Sequence, residues 1–109
     1  HTGDINAAIQ AVETVDTAIG RLEAAIIAAG GELIITADHG NCEVMWDETA
    51  DSAHTAHTTN QVPCIWVSAN SANNRLADGG LADLAPTLLA LLSLEPSSSM
   101  TGTSLLRYE

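Results

Sequence analysis

Residues 34 to 41 read Ile-Ile-Thr-Ala-Asp-His-Gly-Asn, so an apolar run stops at a carboxylate, an imidazole and a glycine in immediate succession. A hard oxygen beside an imidazole nitrogen suits manganese or zinc, whereas an all-oxygen set favours magnesium or calcium. Leu33 to Thr36 read as a short buried strand. Asp38 and His39 then emerge at its C-terminal end, where open α/β sheets carry their ligands, and Gly40 permits a sharp turn. Taken alone, Asp-His-Gly is equally an ordinary turn with a bystander histidine. A second cluster, His54-Thr55-Ala56-His57-Thr58-Thr59-Asn60, fills a polar loop that runs into Val62 to Val67, another apolar stretch of strand length. With His1 included, all four histidines fall within the first 57 residues, at loops or strand ends where side chains can converge. A metal ligand must be held rigidly, which favours His57, next to the strand, over His54 at the far end of the loop.

The elements that must position these groups follow from periodicity. Asp4 can cap a helix in which Ile5, Ile9, Val12, Val15, Ile19, Leu22 and Ile26 recur at steps of three and four, and Gly30-Gly31 ends it. A long amphipathic helix followed by a strand is a unit of layered α/β folds. Cys42 to Trp46 are too brief to decide between helix and strand. Asp47 to Asp51 and Ser68 to Gly80 read as surface loops. Asp83 is expected to cap a helix over Leu84 to Leu92, with Pro86 in its first turn, where a missing N–H costs nothing. Thr101 to Leu106 read as a tail that folds back through its leucines.

Composition narrows the function classes. Three Arg, no Lys and 14 Asp plus Glu give a formal charge of −11, which repels nucleic acid and anionic membrane surfaces alike. A phosphate-bearing substrate would have to rely on metal ions, or on cationic side chains from elsewhere, for its neutralisation. Leu84 to Leu94, the longest greasy stretch, is too short to span a bilayer. Cys42 and Cys64 make neither a disulfide framework nor a Cys-x-x-Cys pair, which points to a reducing cytoplasm. The 109 residues give room for one small domain. A start at His1, with no secretory leader, leads us to expect a fragment of a longer chain.

Four segments together, Thr-Ala-Asp-His-Gly-Asn, His-Thr-Ala-His-Thr-Thr-Asn-Gln-Val-Pro, Leu-Ala-Asp-Leu-Ala-Pro-Thr-Leu-Leu and Met-Thr-Gly-Thr-Ser-Leu, closely resemble cofactor-independent phosphoglycerate mutases. The resemblance spans nearly the whole chain, including the opening His-Thr-Gly-Asp. It implies that residues 1–109 are the C-terminal part of a phosphatase-like domain with the α/β, alkaline-phosphatase-like layered sheet and flanking helices. It also implies interconversion of 3-phosphoglycerate and 2-phosphoglycerate through a phosphoserine, using two divalent ions, commonly Mn2+, and no 2,3-bisphosphoglycerate. His1 and His57 would help bind one ion, and Asp38 and His39 the other. The serine nucleophile and the phosphate-holding Arg and Lys residues would belong to the remainder of the chain, a cytoplasmic monomer, and the fragment alone would be inactive. Gln61 stands where such mutases often carry Pro, and Thr103 where they often carry Arg; neither position is a ligand. Two other readings share some of these features: a phosphatase or sulfatase of the same superfamily, and a non-enzymatic acidic metal-binding module.

Overall fold

A computed structural model describes residues 1–108 of the chain. They form two compact units, His1–Val67 and Ser68–Glu109. The first opens with helix α1, Ile5–Ala28, whose first free N–H groups need an acceptor. Asp4 supplies it, its carboxylate accepting from Asn6 N at 2.9 Å and Ala7 N at 3.2 Å. At the other end Gly30 adopts a φ of +75°, a left-handed conformation that glycine takes without penalty. Gly30 N then donates to Ile27 O and Gly31 N to Ile26 O, a Schellman closure that stops the helix where the sequence predicts. No residue of α1 is buried, and Ile5, Ile9, Val12, Val15 and Leu22 lie about half exposed along one stripe.

The chain then enters β1, Leu33–Ile35, which pairs with β4, Ile65–Val67, after passing through a hairpin of β2, Trp46–Asp47, and β3, Ser52–Ala53. The undecided Cys42 to Trp46 segment therefore leads into a strand. Its hairpin turn is closed by the Asp47 carboxylate, which accepts from Thr49 N and Ala50 N. The β1–β4 ladder is antiparallel, with Leu33 opposite Val67, Ile34 opposite Trp66 and Ile35 opposite Ile65. Beyond it the Thr36 hydroxyl donates to Pro63 O at 2.9 Å, holding the strand exit of β1 against the strand entry of β4.

In the second unit the reading of Ser68 to Gly80 as loop needs correction. A 3-10 turn at Ser71–Asn73 leads into β5, Asn74–Leu76, which pairs antiparallel with β6, Leu106–Tyr108. Asn-Arg-Leu is too short and polar to announce a strand; the returning tail makes it one. Helix α2, Leu84–Leu91, is preceded by a 3-10 turn at Leu81–Asp83, and Asp83 makes no side-chain cap bond to it. Its carboxylate instead accepts from Gly80 N and Thr103 N, both at 2.8 Å, pinning the tail to the helix start. Those two N–H groups, Gly80 foremost, lower the Asp83 pKa below its usual 3.8. This contribution to stability is complete above the ordinary value and fades only as pH falls through the lowered one. Thr87, 1% exposed, donates to Asp83 O and accepts from Leu105 N, while Leu105 and Leu106 form the buried apolar centre of the unit. Among the described residues no helix is long and apolar enough to cross a membrane.

Candidate metal centre

Antiparallel pairing of β1 with β4 brings the end of the first strand beside the start of the second, so Asp38-His39-Gly40 and His57-Thr58 are forced to meet. They join through an isolated bridge in which Thr58 N donates to Gly40 O at 2.9 Å. The His39 and His57 rings stack, with centroids 3.6 Å apart and planes 16° from parallel. His1 reaches the same place from the start of the chain, its ring centroid 5.1 Å from that of His57. Gly3, at φ +71°, makes this approach possible: a Cβ there would lie 2.6 Å from Ala53 Cβ on β3.

Hydrogen bonds select the tautomers. His39 Nδ1 lies 2.9 Å from Gly40 O, and a carbonyl can only accept, so in the neutral ring the proton sits on Nδ1 and the Nε2 lone pair is left free. His1 Nδ1 makes a longer contact, 3.4 Å, to Thr55 O with the same consequence. Backbone anchoring of one ring nitrogen is how proteins orient a metal-binding histidine. His39 Nε2 in turn faces Asp38 Oδ1 at 3.5 Å. Two electron-pair donors so placed favour a shared cation; ligands about 2.1 Å from one tetrahedral ion stand roughly 3.4 Å apart. Asp38 is 79% exposed and His39 35%, so the pair opens outward. The residues present thus fit a divalent ion, although among the described residues no three His, Cys, Asp or Glu side chains converge as a metal-holding group. The chain presents two pairs of donor side chains, Asp38 with His39 and His1 with His57.

His54 lies apart from these ring contacts. Its backbone N–H is bonded to Met45 O at 2.9 Å, and its Nε2 is buried without a hydrogen-bond partner. The sequence reading preferred His57 because the other end of the loop looked loose, but His54 is tethered. What sets His57 apart is its contact with two other imidazoles. Sequence reasoning also missed Glu43, whose carboxylate accepts from the Thr58 hydroxyl, from Asn60 Nδ2 at 3.3 Å and from Asn41 N at 2.7 Å. Its only sequence signal is an acid three residues beyond Gly40, in a stretch too short for periodicity to read. Cys42 is exposed and Cys64 half-buried, both as free thiols.

Residues 1–96 match the Metalloenzyme superfamily, and the chain belongs to that family. Its α/β fold is shared with the crystal structure of Leishmania mexicana phosphoglycerate mutase at low cobalt concentration, with a TM-score of 0.83 and 30% identity over 100% of this chain and 23% of that one. It is 58% identical to the 2,3-bisphosphoglycerate-independent phosphoglycerate mutase of Rhodopseudomonas palustris, across 97% of this chain and 20% of that protein. Over 100% of this chain and 20% of the relative, it is 54% identical to the enzyme of the same name from Rhodopirellula baltica. The chain thus spans about a fifth of the length of the curated relatives it matches.

Proposed function

We propose that this chain is the metal-binding C-terminal part, residues 1–109 of its domain, of a phosphoglycerate mutase that interconverts 3-phosphoglycerate and 2-phosphoglycerate through a phosphoserine. The observation that carries this reading is the gathering of His1, His39 and His57 beside Asp38, in a chain that matches such mutases along 97% of its length. Asp38 and His39 would hold one divalent ion and His1 with His57 the other, manganese being the ion that an oxygen and nitrogen donor set accommodates. When bound, the ions would lower the pKa of a serine hydroxyl and neutralise phosphoryl oxygens. The residues here do the orienting. Gly40 O fixes the His39 ring, Thr55 O turns the His1 ring, and the Gly40–Thr58 bridge sets the distance between the two ligand-bearing segments.

The remaining four fifths of the longer protein would supply the serine, further ligands and the cationic groups that hold the phosphate. A net charge of −11 speaks against nucleic acid or anionic membranes as partners, and in a cytoplasmic monomer it would leave a small anionic substrate dependent on the metal ions and on cationic groups from the rest of the protein. The test is metal removal from the full-length protein. Chelation is expected to abolish phosphoglycerate interconversion, and added manganese or cobalt to restore it without 2,3-bisphosphoglycerate. Turnover that survives exhaustive chelation would refute the proposal.

A further inference from the structure

The segments carrying Asp38-His39 and His57 are separated in the chain by the whole β2–β3 hairpin, so something must hold them at a fixed separation. Beyond the β1–β4 ladder, the backbone joins the two ligand segments directly through the isolated Gly40–Thr58 bridge. The Glu43 carboxylate spans that bridge. Glu43 Oε2 accepts from Asn41 N, two residues beyond His39, while Glu43 Oε1 accepts from the Thr58 hydroxyl and Asn60 Nδ2, both just beyond His57. One side chain thereby ties the turn that follows one ligand to the segment that follows the other. Gly40 is the buried point between them, and a Cβ there would overlap both the Glu43 carboxylate and the Thr58 hydroxyl. The absence of a side chain at residue 40 is what lets the tie close. The same Gly40 carbonyl that accepts from Thr58 N also accepts from His39 Nδ1, so a displacement of Thr58 reaches the His39 ring directly.

We propose that Glu43 is a positioning residue that sets the separation of the Asp38-His39 and His57 ligand segments, and through them of the two metal ions. It touches neither ion nor substrate. Hydrogen bonds to an ionised acceptor are roughly twice as strong as neutral ones, which gives one carboxylate the means to order two loops. Consistent with this, the Thr58 hydroxyl above all, then backbone N–H groups and Asn60, hold the Glu43 carboxyl down to about 2. It is therefore ionised wherever imidazoles are neutral enough to bind metal.

The proposal rests on the metal reading above, and its test separates the two. In the full-length protein, Glu43→Ala, Glu43→Gln, Thr58→Val, the Glu43→Ala/Thr58→Val pair and His39→Ala are compared by manganese titration calorimetry. Histidine-selective 13C–1H spectra of the metal-free proteins report the ring environment independently of any ion or turnover. Loss of an outer partner that orients ligands costs about 10- to 100-fold in metal affinity, and Glu43→Ala is expected to fall in that range at both sites together. Glu43→Gln, which keeps shape and one acceptor, should lie between. The double variant should be no weaker than Glu43→Ala alone, because Thr58 acts through the carboxylate. In the metal-free spectra the resonances of the stacked His39 and His57 rings should shift in Glu43→Ala. If His39→Ala weakens binding while both Glu43 variants leave affinity and histidine spectra unchanged, the positioning role is overturned and the metal reading stands. If His39→Ala itself leaves affinity unchanged, the metal reading fails first. Additive effects of Glu43→Ala and Thr58→Val would also overturn the proposal, and should Glu43→Ala not fold, Glu43→Gln decides.

Discussion

His39→Ala in the full-length protein is expected to abolish phosphoglycerate interconversion while the protein remains folded. The ring is half-buried; among the described residues its side-chain hydrogen bond is the local one to Gly40 O, and the ring it stacks on, His57, is exposed, so truncation removes one surface stacking contact and no buried packing. What it removes is the Nε2 lone pair that faces Asp38 Oδ1 at 3.5 Å. A metal ion acting on a phosphoryl group supplies several kcal/mol of charge stabilisation, and each 1.36 kcal/mol is a factor of ten in rate. Loss of at least about 1,000-fold in kcat follows, with the circular dichroism spectrum and Tm close to wild type. Near-normal turnover with manganese supplied would show that His39 is not a ligand.

The second large effect concerns the 109 residues expressed alone. They are expected to bind manganese more weakly than the full-length protein by upward of about 100-fold, since losing whole ligands costs more than losing their outer partners. Among the described residues no three donor side chains converge, and Asp38 stands 79% exposed, so water would compete freely for an ion. The 14 carboxylates attract cations without fixing any geometry. The half-exposed stripe of α1 adds a second cause, because an amphipathic helix whose apolar side is only partly covered anchors the attached His1 less firmly than a fully packed one. Calorimetric titration of both proteins at one pH measures the difference. Equal, tight binding would instead favour a self-sufficient metal-binding module.

The parts of this structure governed by short-range chemistry were readable from the sequence. Asp4 caps α1, Gly30-Gly31 close it, and the apolar runs before Asp38 and after His57 are strands, since each depends on neighbours a few residues away. The tail does fold back through Leu105 and Leu106. Asp83 misled because the same residue type that caps helices also accepts from any nearby N–H, and here Thr103, twenty residues on, competes successfully. The strand at Asn74–Leu76 exists only because Leu106–Tyr108 lies against it, a pairing that no local pattern announces. At the site, Asp38, His39, His57 and His1 stood out as candidates through residue type and family resemblance, and the structure brings them together. Glu43 did not, because its role lies in which loops it joins, and only the β1–β4 pairing makes Thr58 and Asn60 its neighbours.

Anomalous diffraction from crystals of the full-length protein soaked in manganese or cobalt tests the metal centre most directly. Two peaks are expected, one within coordination distance of Asp38 and His39 Nε2 and the other beside His1 and His57. A single peak, or peaks that leave these four side chains unbound, would contradict it.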